Sequence, residues 1–370
     1  MRLFWIVFIP AAAYQLLAIF SAFRQIARRR AFRPESIKFR PSVSVLKPLR
    51  GIDPNTYSAF VSQVQQNYPE YEVLFGALEE NDPAAMEVRR LQREYPDAPI
   101  RLVIGCDTAP NGKVGVLMNL ARHARFGIWV VNDSDIQVGP DYLLQVVAPL
   151  ADANVGVVTC PYRAYAHTVA AAWECLGIAT DFMPSTLVAQ ALGVREFGFG
   201  STLAFRAADI QTAGGFAAIA DYLADDYQLA KHVTSLGKRA LLSTYTVETS
   251  LGDASWVGVW RHQLRWARTI RLSKGAGYAG LPITHAGVWI LIALVTEAWP
   301  PMLFLLALRI VSAFLAGAFV VQSRLAATFC WLAPVWDLYA FAIWLASYAG
   351  RTVRWRDRVL SIDARGRIQS

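Results

Sequence analysis

Asp133 and Asp135 stand one residue apart just after Ile128-Trp129-Val130-Val131, in a stretch that continues Asn132-Asp133-Ser134-Asp135-Ile136-Gln137-Val138. Four apolar residues rich in β-branching predict a buried parallel strand. Carboxylates that close such a strand lie at the edge where open α/β sheets place their ligands. Two of them suit a hard divalent cation, which takes oxygen ligands and can bridge to phosphates. A D-x-D alone is more often a solvated turn, so the chemistry depends on its company. That company is Asp82 after Glu79-Glu80-Asn81, the pair Asp225-Asp226, and the run His262-Gln263-Leu264-Arg265-Trp266.

These side chains need elements to carry them. Strands are expected at 43–46, running into Lys47-Pro48, and at 71–78, 100–104, 128–131 and 155–159. Helical spacing fills 53–66, 84–95 and 114–125. Strand and helix alternating through short loops predict an α/β fold with a doubly wound, mostly parallel sheet. Phe197-Gly198-Phe199-Gly200-Ser201-Thr202 reads as a loop whose glycines let a substrate approach the backbone. Asp225-Asp226 open a helix expected to reach about residue 236.

Of the 370 residues 55% are hydrophobic and 12 are Trp, too apolar for one soluble domain and too charged for an all-membrane chain. The net charge of +8 favours anionic partners, here lipid headgroups and nucleotide phosphates ahead of nucleic acid. Cys106, Cys160, Cys175 and Cys330 are scattered, which predicts free thiols in a reducing compartment and no zinc site. Residues 3–23 form an uncharged apolar run of membrane-spanning length, followed by Arg24, Arg28, Arg29 and Arg30. With no cleavage site it reads as an anchor whose basic end faces the cytoplasm.

The segment 161–193 is apolar and helical but holds Arg163, Glu174 and Asp181. It is expected either to lie on the membrane face or to form a core helix pair. In 256–274, Arg261, Arg265 and Arg268 form a basic stripe, with Trp260, Leu264, Ala267 and Ile270 toward another side. That stripe would face headgroups, a pyrophosphate or solvent. From 284 to 350 the composition is membranous: 285–308 is interrupted by Glu297 and Pro300-Pro301, 310–322 is short, and 325–350 can span. The tail holds Arg351, Arg354, Arg356, Arg358, Arg365 and Arg367 and should be cytoplasmic. Three full spans would put it outside, so one re-entrant or interfacial piece is expected. A small hairpin is expected over 352–356 and 359–362.

The order of Asp82, Asp133 with Asp135, Asp226 and then Arg265-Trp266 resembles the inverting, nucleotide-sugar-dependent glycosyltransferases of the ceramide glucosyltransferase type. Their pattern is D, D, D, (Q/R)-x-x-R-W. The opening Val43-Ser44-Val45-Leu46-Lys47-Pro48-Leu49-Arg50-Gly51 with Asp53-Pro54 is similar to that family, as is Asn67-Tyr68-Pro69 running into Tyr71-Glu72-Val73. The resemblance covers roughly residues 1–370. Phe182-Met183-Pro184-Ser185, the 197–202 loop and His262–Trp266 resemble its bacterial hopanoid-associated branch, which moves N-acetylglucosamine from its UDP derivative to a hopanoid polyol. The chain departs from the pattern at the (Q/R) position, where His262 stands with Gln263 beside it.

The resemblance implies a nucleotide-sugar transferase fold of the A type, with an N-terminal transmembrane helix and a C-terminal membrane helical region. Its parts would be an anchor at 1–30, a cytoplasmic catalytic domain at 31–250, an interfacial helix with the R-W motif at 251–283, membrane helices at 284–350 and a basic tail at 351–370. The protein would be a multi-pass protein of the inner membrane. Its cofactor would be Mg2+ or Mn2+, with a UDP-sugar as donor and a membrane lipid as acceptor. Asp133 and Asp135 would hold the metal and Asp82 the uridine and ribose, while His262 or Gln263 takes a donor contact. Lys113 is either a nucleotide or phosphate contact or part of a surface turn. Asp226 would be the general base, with Asp225 lending it charge or capping the helix; Arg265 and Trp266 would close over the diphosphate. Ceramide or diacylglycerol glucosylation from UDP-glucose is the neighbouring alternative. A processive polysaccharide synthase, a polyprenyl-phosphate sugar transferase and a catalytically silent membrane scaffold complete the set.

Overall fold

Six consecutive buried residues, Val43–Pro48, form strand β1 at the heart of a sheet covered on both faces, and even Lys47 is buried in it. The computed structural model describes residues 2–53, 55–350, 352–355 and 358–369. Pro54, Arg351 and Arg356, which the expectations above include, lie outside the described residues. The chain divides into two units, one of Phe32–Tyr162 with Val194–Ser250, the other of Met1–Ala31, Arg163–Gly193 and Leu251–Ser370. Residues 163–193, expected within the α/β domain, group instead with the apolar helices, which offer them apolar partners.

The first unit adds β2 (Tyr71–Ala77), β3 (Ile100–Ile104), β4 (Ile128–Val131), β5 (Val155–Thr159), β6 (Leu203–Arg206) and β7 (Arg239–Leu242). The sheet order is β3-β2-β1-β4-β6-β5-β7. Pairs β1–β2, β2–β3, β1–β4 and β5–β7 are parallel, whereas β6 runs antiparallel to both neighbours. Two crossover helices end as their caps dictate. Asp82 accepts from Ala84 N at the start of Pro83–Glu94, and Asn111 accepts from Lys113 N and Val114 N at the start of Gly112–His123. Pro83 sits in the first turn, where its missing N–H costs nothing.

The second unit is helical. Arg2–Ala31 is one 30-residue helix ending in Arg28, Arg29 and Arg30. Trp299–Val320 and Arg324–Ser347 are each long and apolar enough to cross a membrane, and Gly277–Ile283 with Ala286–Val295 forms a pair bent by 44°. The apolar runs expected at 285–308 and 310–322 are joined in one helix across Arg309. Its guanidinium is buried and forked onto Asp337 at 2.6 and 2.8 Å, so the charge is neutralised and the helix runs on. Pro300 and Pro301 start that helix and do not interrupt it. The chain instead turns at Glu297, which takes a left-handed φ of 53°.

Helix Val169–Gly177, a π-helical turn at Ile178–Phe182 and helix Met183–Ala191 are largely buried, so 163–193 is core and not a surface element. The Gly177 position explains one contact there, because a Cβ would stand 1.9 Å from the Trp336 ring. Helix Trp256–Ser273 starts at Ser255, whose hydroxyl oxygen accepts from Gly258 N. Of the expected basic stripe, Arg268 turns to the backbone: with Arg271, outside that stripe, it donates to carbonyls of Ala349, Gly350 and Thr352, securing the end of Ala333–Ser347. The tail forms Thr352–Trp355, Arg358–Ile362 and a third short strand, Ile368–Gln369.

Candidate active site

At the C-terminal edge of the parallel strands the first unit gathers most of the residues singled out by the sequence. Asp133 follows β4, and Lys113 reaches from the first turn of Gly112–His123 to touch Asp133 Oδ1 at 2.7 Å and Asp225 Oδ2 at 2.9 Å. Burial alone would pull the Lys113 ammonium down, but the charges of Asp133, Asp225 and Asp226 outweigh it and hold it above the usual lysine range. Lys113 is therefore an internal cation at the centre of the acidic cluster, not part of a surface turn.

Gly200 connects the two ends of that cluster. Its N–H donates to Asp226 Oδ2 at 2.9 Å, and its carbonyl accepts from Asp133 N at 2.9 Å. A Cβ there would fall 2.3 Å from Asp133 Oδ2, so any side chain would displace that carboxyl. Asp226 also accepts from its neighbour Tyr227 N at 2.7 Å. Burial and the adjacent Asp225 push its carboxyl up to about 6, with Lys113 pulling the other way. Two carboxylates in sequence thus do different work, one paired to an ammonium and one tuned toward neutrality.

Asp135 accepts a hydrogen bond from the Thr249 hydroxyl. Burial and the Asp133 charge raise its pKa, against Thr249 and Lys47. Below it lies a buried polar network that sequence reasoning passed over. Lys47 Nζ donates to Asn132 Oδ1 at 2.8 Å and to the Asp133 carbonyl at 2.7 Å. Asn132 Nδ2 donates to Tyr142 Oη at 3.3 Å, and the Tyr142 and Thr202 hydroxyls are 3.0 Å apart. Burial lowers the Lys47 ammonium to about 7, opposed by Asp135 and Asp133. The available signal was a lysine at the closing end of a wholly apolar strand, a place where that side chain is rarely buried without a task.

Asp82 stands apart from the Lys113 cluster. One of its oxygens accepts from Gly51 N at 3.0 Å and Ala84 N at 2.8 Å, tying the loop after β1 to the helix after β2. His262, Gln263, Arg265 and Trp266 belong to the helical unit. There His262 Nδ1 and Gln263 Nε2 both bond Glu174 Oε1, at 2.5 and 2.7 Å. Trp266 packs against His262 and Phe182, with ring centroids 4.7 and 6.0 Å away.

Among the described residues no three Asp, Glu, His or Cys side chains form a closed metal cage. What the site offers is Asp133, with its side chain 42% exposed, and Asp135 one residue on. One or two carboxylates with the remaining positions left to phosphate oxygens and water is how Mg2+ and similar ions are held in phosphate chemistry. The donor set fits such an ion.

A mixed sheet of this order, with acidic side chains at the carboxyl edge of its parallel strands, defines a nucleotide-sugar transferase fold of the A type. The solved mannosyltransferase PcManGT of Pyrobaculum calidifontis shares it, with a TM-score of 0.56 at 19% identity over 92% of this chain and 99% of that one. The family model described as Glycosyl transferase family 21 matches residues 3–368, and the chain belongs to that family. It is 29% identical to ceramide glucosyltransferase 1 of Caenorhabditis elegans over 231 residues, 62% of this chain and 49% of that protein. To ceramide glucosyltransferase 3 of the same organism it is 26% identical over 232 residues, 62% of this chain and 50% of that protein. The chain spans about half the length of the curated relatives it matches.

Proposed function

We propose that the protein is a membrane-bound inverting glycosyltransferase that moves a hexose or N-acetylhexosamine from a UDP-sugar to the hydroxyl of a membrane lipid. The observation that carries this reading is the joining of Asp133 and Asp226 through the backbone N–H and carbonyl of one residue, Gly200, with Lys113 paired to Asp133 and Asp225. The fold neighbour was captured with GDP-mannose and Mn2+, which supports a nucleotide sugar and a divalent ion in this chain as well.

Asp133 and Asp135 would hold the cation, which as a Lewis acid would stabilise charge on the departing diphosphate. Lys113 adds a positive charge beside it and Asp82 orients the nucleoside end. Asp226 takes the proton of the acceptor hydroxyl as its oxygen bonds to the anomeric carbon and the bond to the diphosphate breaks. A carboxylate tuned to about 6 is ionised at neutral pH yet basic enough to share that proton. Displacement opposite the leaving group inverts the anomeric carbon, and no carboxylate nucleophile is needed. Arg265 would neutralise the leaving group and Trp266 cover it.

The acceptor we favour is a hopanoid polyol with UDP-N-acetylglucosamine as donor, on the resemblance of the 182–185, 197–202 and 262–266 motifs. The relatives are named ceramide glucosyltransferases, which favours ceramide and UDP-glucose as the second reading. The catalytic unit would face the cytoplasm from the inner membrane. Purified protein in lipid nanodiscs, given each labelled donor with each lipid, should form one dominant glycolipid. Asp226→Asn should lower turnover by about a hundredfold or more, the range for a lost general base, while UDP binding persists. Near-normal turnover of a folded Asp226→Asn protein would remove the base assignment.

A further inference from the structure

We propose that Lys47 is a positioning residue for the divalent cation: its side chain fixes the 132–136 turn, whose backbone carries Asp133 and Asp135. The inference rests on the transferase reading above and deepens it at the same site. Every residue it involves belongs to the first unit. Lys47 is fully buried near the end of β1, a place where lysine is rare unless polar partners surround it. Its Nζ meets three oxygens of one turn: Asn132 Oδ1 at 2.8 Å, the Asp133 carbonyl at 2.7 Å and, at a longer 3.5 Å, the Ile136 carbonyl. All three oxygens accept, and a lysine ammonium has three N–H bonds to give and no lone pair.

The turn closes on itself through Ile136 N–H to the Asp133 carbonyl at 3.2 Å, and Gln63 Nε2 donates to the Ile136 carbonyl at 3.1 Å. Among the described residues, Lys47 is the side chain that bonds the Asp133 backbone. Two lysines thus divide the work at one aspartate, Lys113 pairing with its carboxylate and Lys47 with its carbonyl. Thr249 donates to the Asp135 carboxyl, so the second acid is anchored as well. A ligand set is only as precise as the backbone that bears it. The Lys47 charge acts the other way. The charges of Asp133 and Asp135 reach it and oppose the effect of its burial, so it would repel a cation bound to them. Hydrogen bonding and charge therefore predict opposite signs when Lys47 is replaced.

The test titrates the full chain in lipid nanodiscs, saturated with UDP, with Mn2+ and reads the bound ion by electron paramagnetic resonance, without turnover. Lys47→Met removes the N–H donors and the charge; Lys47→Gln removes the charge and keeps N–H donors on a shorter side chain. The Mn2+ Kd should rise about tenfold or more in Lys47→Met and by less in Lys47→Gln, the usual scale for losing a partner behind a metal ligand. The donor KM should rise with it while the acceptor KM moves by less than about twofold. A Kd that stays put or falls in the folded Lys47→Met protein would overturn the inference, the fall assigning the residue's effect to its charge. Equal weakening in the two variants would overturn it too, since a merely structural loss gives that result. Should Lys47→Met fail to fold, Lys47→Gln decides against the wild type: a raised Kd supports the inference, and an unchanged or lowered one ends it. A wild type that takes up no Mn2+ beside UDP would remove the cation from the transferase reading together with this inference. Wild-type binding that both variants match would remove this inference alone.

Discussion

Gly200 shows how much of the site rests on one residue. Its N–H and carbonyl serve Asp226 and Asp133, and its missing side chain leaves room for the Asp133 carboxyl. Gly200→Ala would force that carboxyl to swing away, since the atom in the path is the end of a mobile side chain. The fold should survive, with turnover down by about a hundredfold, as expected when a reacting group is displaced by roughly 1 Å; thermal melting and steady-state rates would check both halves. The raised carboxyl of Asp226 gives a second test. The base works ionised, so kcat/KM should climb as pH rises through about 6 and level off above it. A profile flat from pH 5 to 7 would contradict the assignment. That Asp133 and Asp135 follow an apolar strand and that Asp225 and Asp226 open a helix was legible in the sequence. Lys47 was not, because its task appears only when Asn132 and the Asp133 carbonyl fold down over it.

Strands and helices were largely readable from periodicity, and Ile100–Ile104 and Val155–Thr159 fall where their apolar runs begin and end. The antiparallel direction of β6 was not, since a four-residue apolar run carries no mark of its orientation. Nor was the continuity of Trp299–Val320, because Arg309 reads as a stop until Asp337 is beside it. That pair makes a prediction for the helices. Asp337→Ala would leave a buried guanidinium still bonded to the Thr180 carbonyl but with no counter-charge, costing about 3–5 kcal/mol. A large drop in melting temperature in detergent is expected, mostly recovered by Arg309→Met with Asp337→Leu. Lack of any drop would mean the pair is not closed in the membrane-bound protein.

The whole chain carries two kinds of composition, and they sort into two units that interleave along the sequence. Residues 163–193 mark where sequence reading left two readings open: their acids allowed a membrane-face helix, but the segment packs as the core helix pair, with Glu174 bonded by His262 and Gln263 and Asp181 accepting from the Trp336 indole. If Trp299–Val320 and Arg324–Ser347 each cross and the bent pair is re-entrant, the basic tail and the linker after Ala31 share one side of the membrane. Cysteines introduced at 36 and at 365, in a protein lacking Cys106, should then label together from one and the same face of sealed vesicles. Labelling from opposite faces would exclude this topology.

The fork between Arg309 and Asp337 also bears on how the protein reaches its bilayer. A lone arginine at the middle of an apolar helix raises the cost of entering lipid by about 2.5–3.5 kcal/mol. Trp299–Val320 leaves the ribosome ahead of its counter-charge on Arg324–Ser347. It gains by waiting at the translocation channel until Arg324–Ser347 arrives, so that the two enter the lipid as a neutral hairpin.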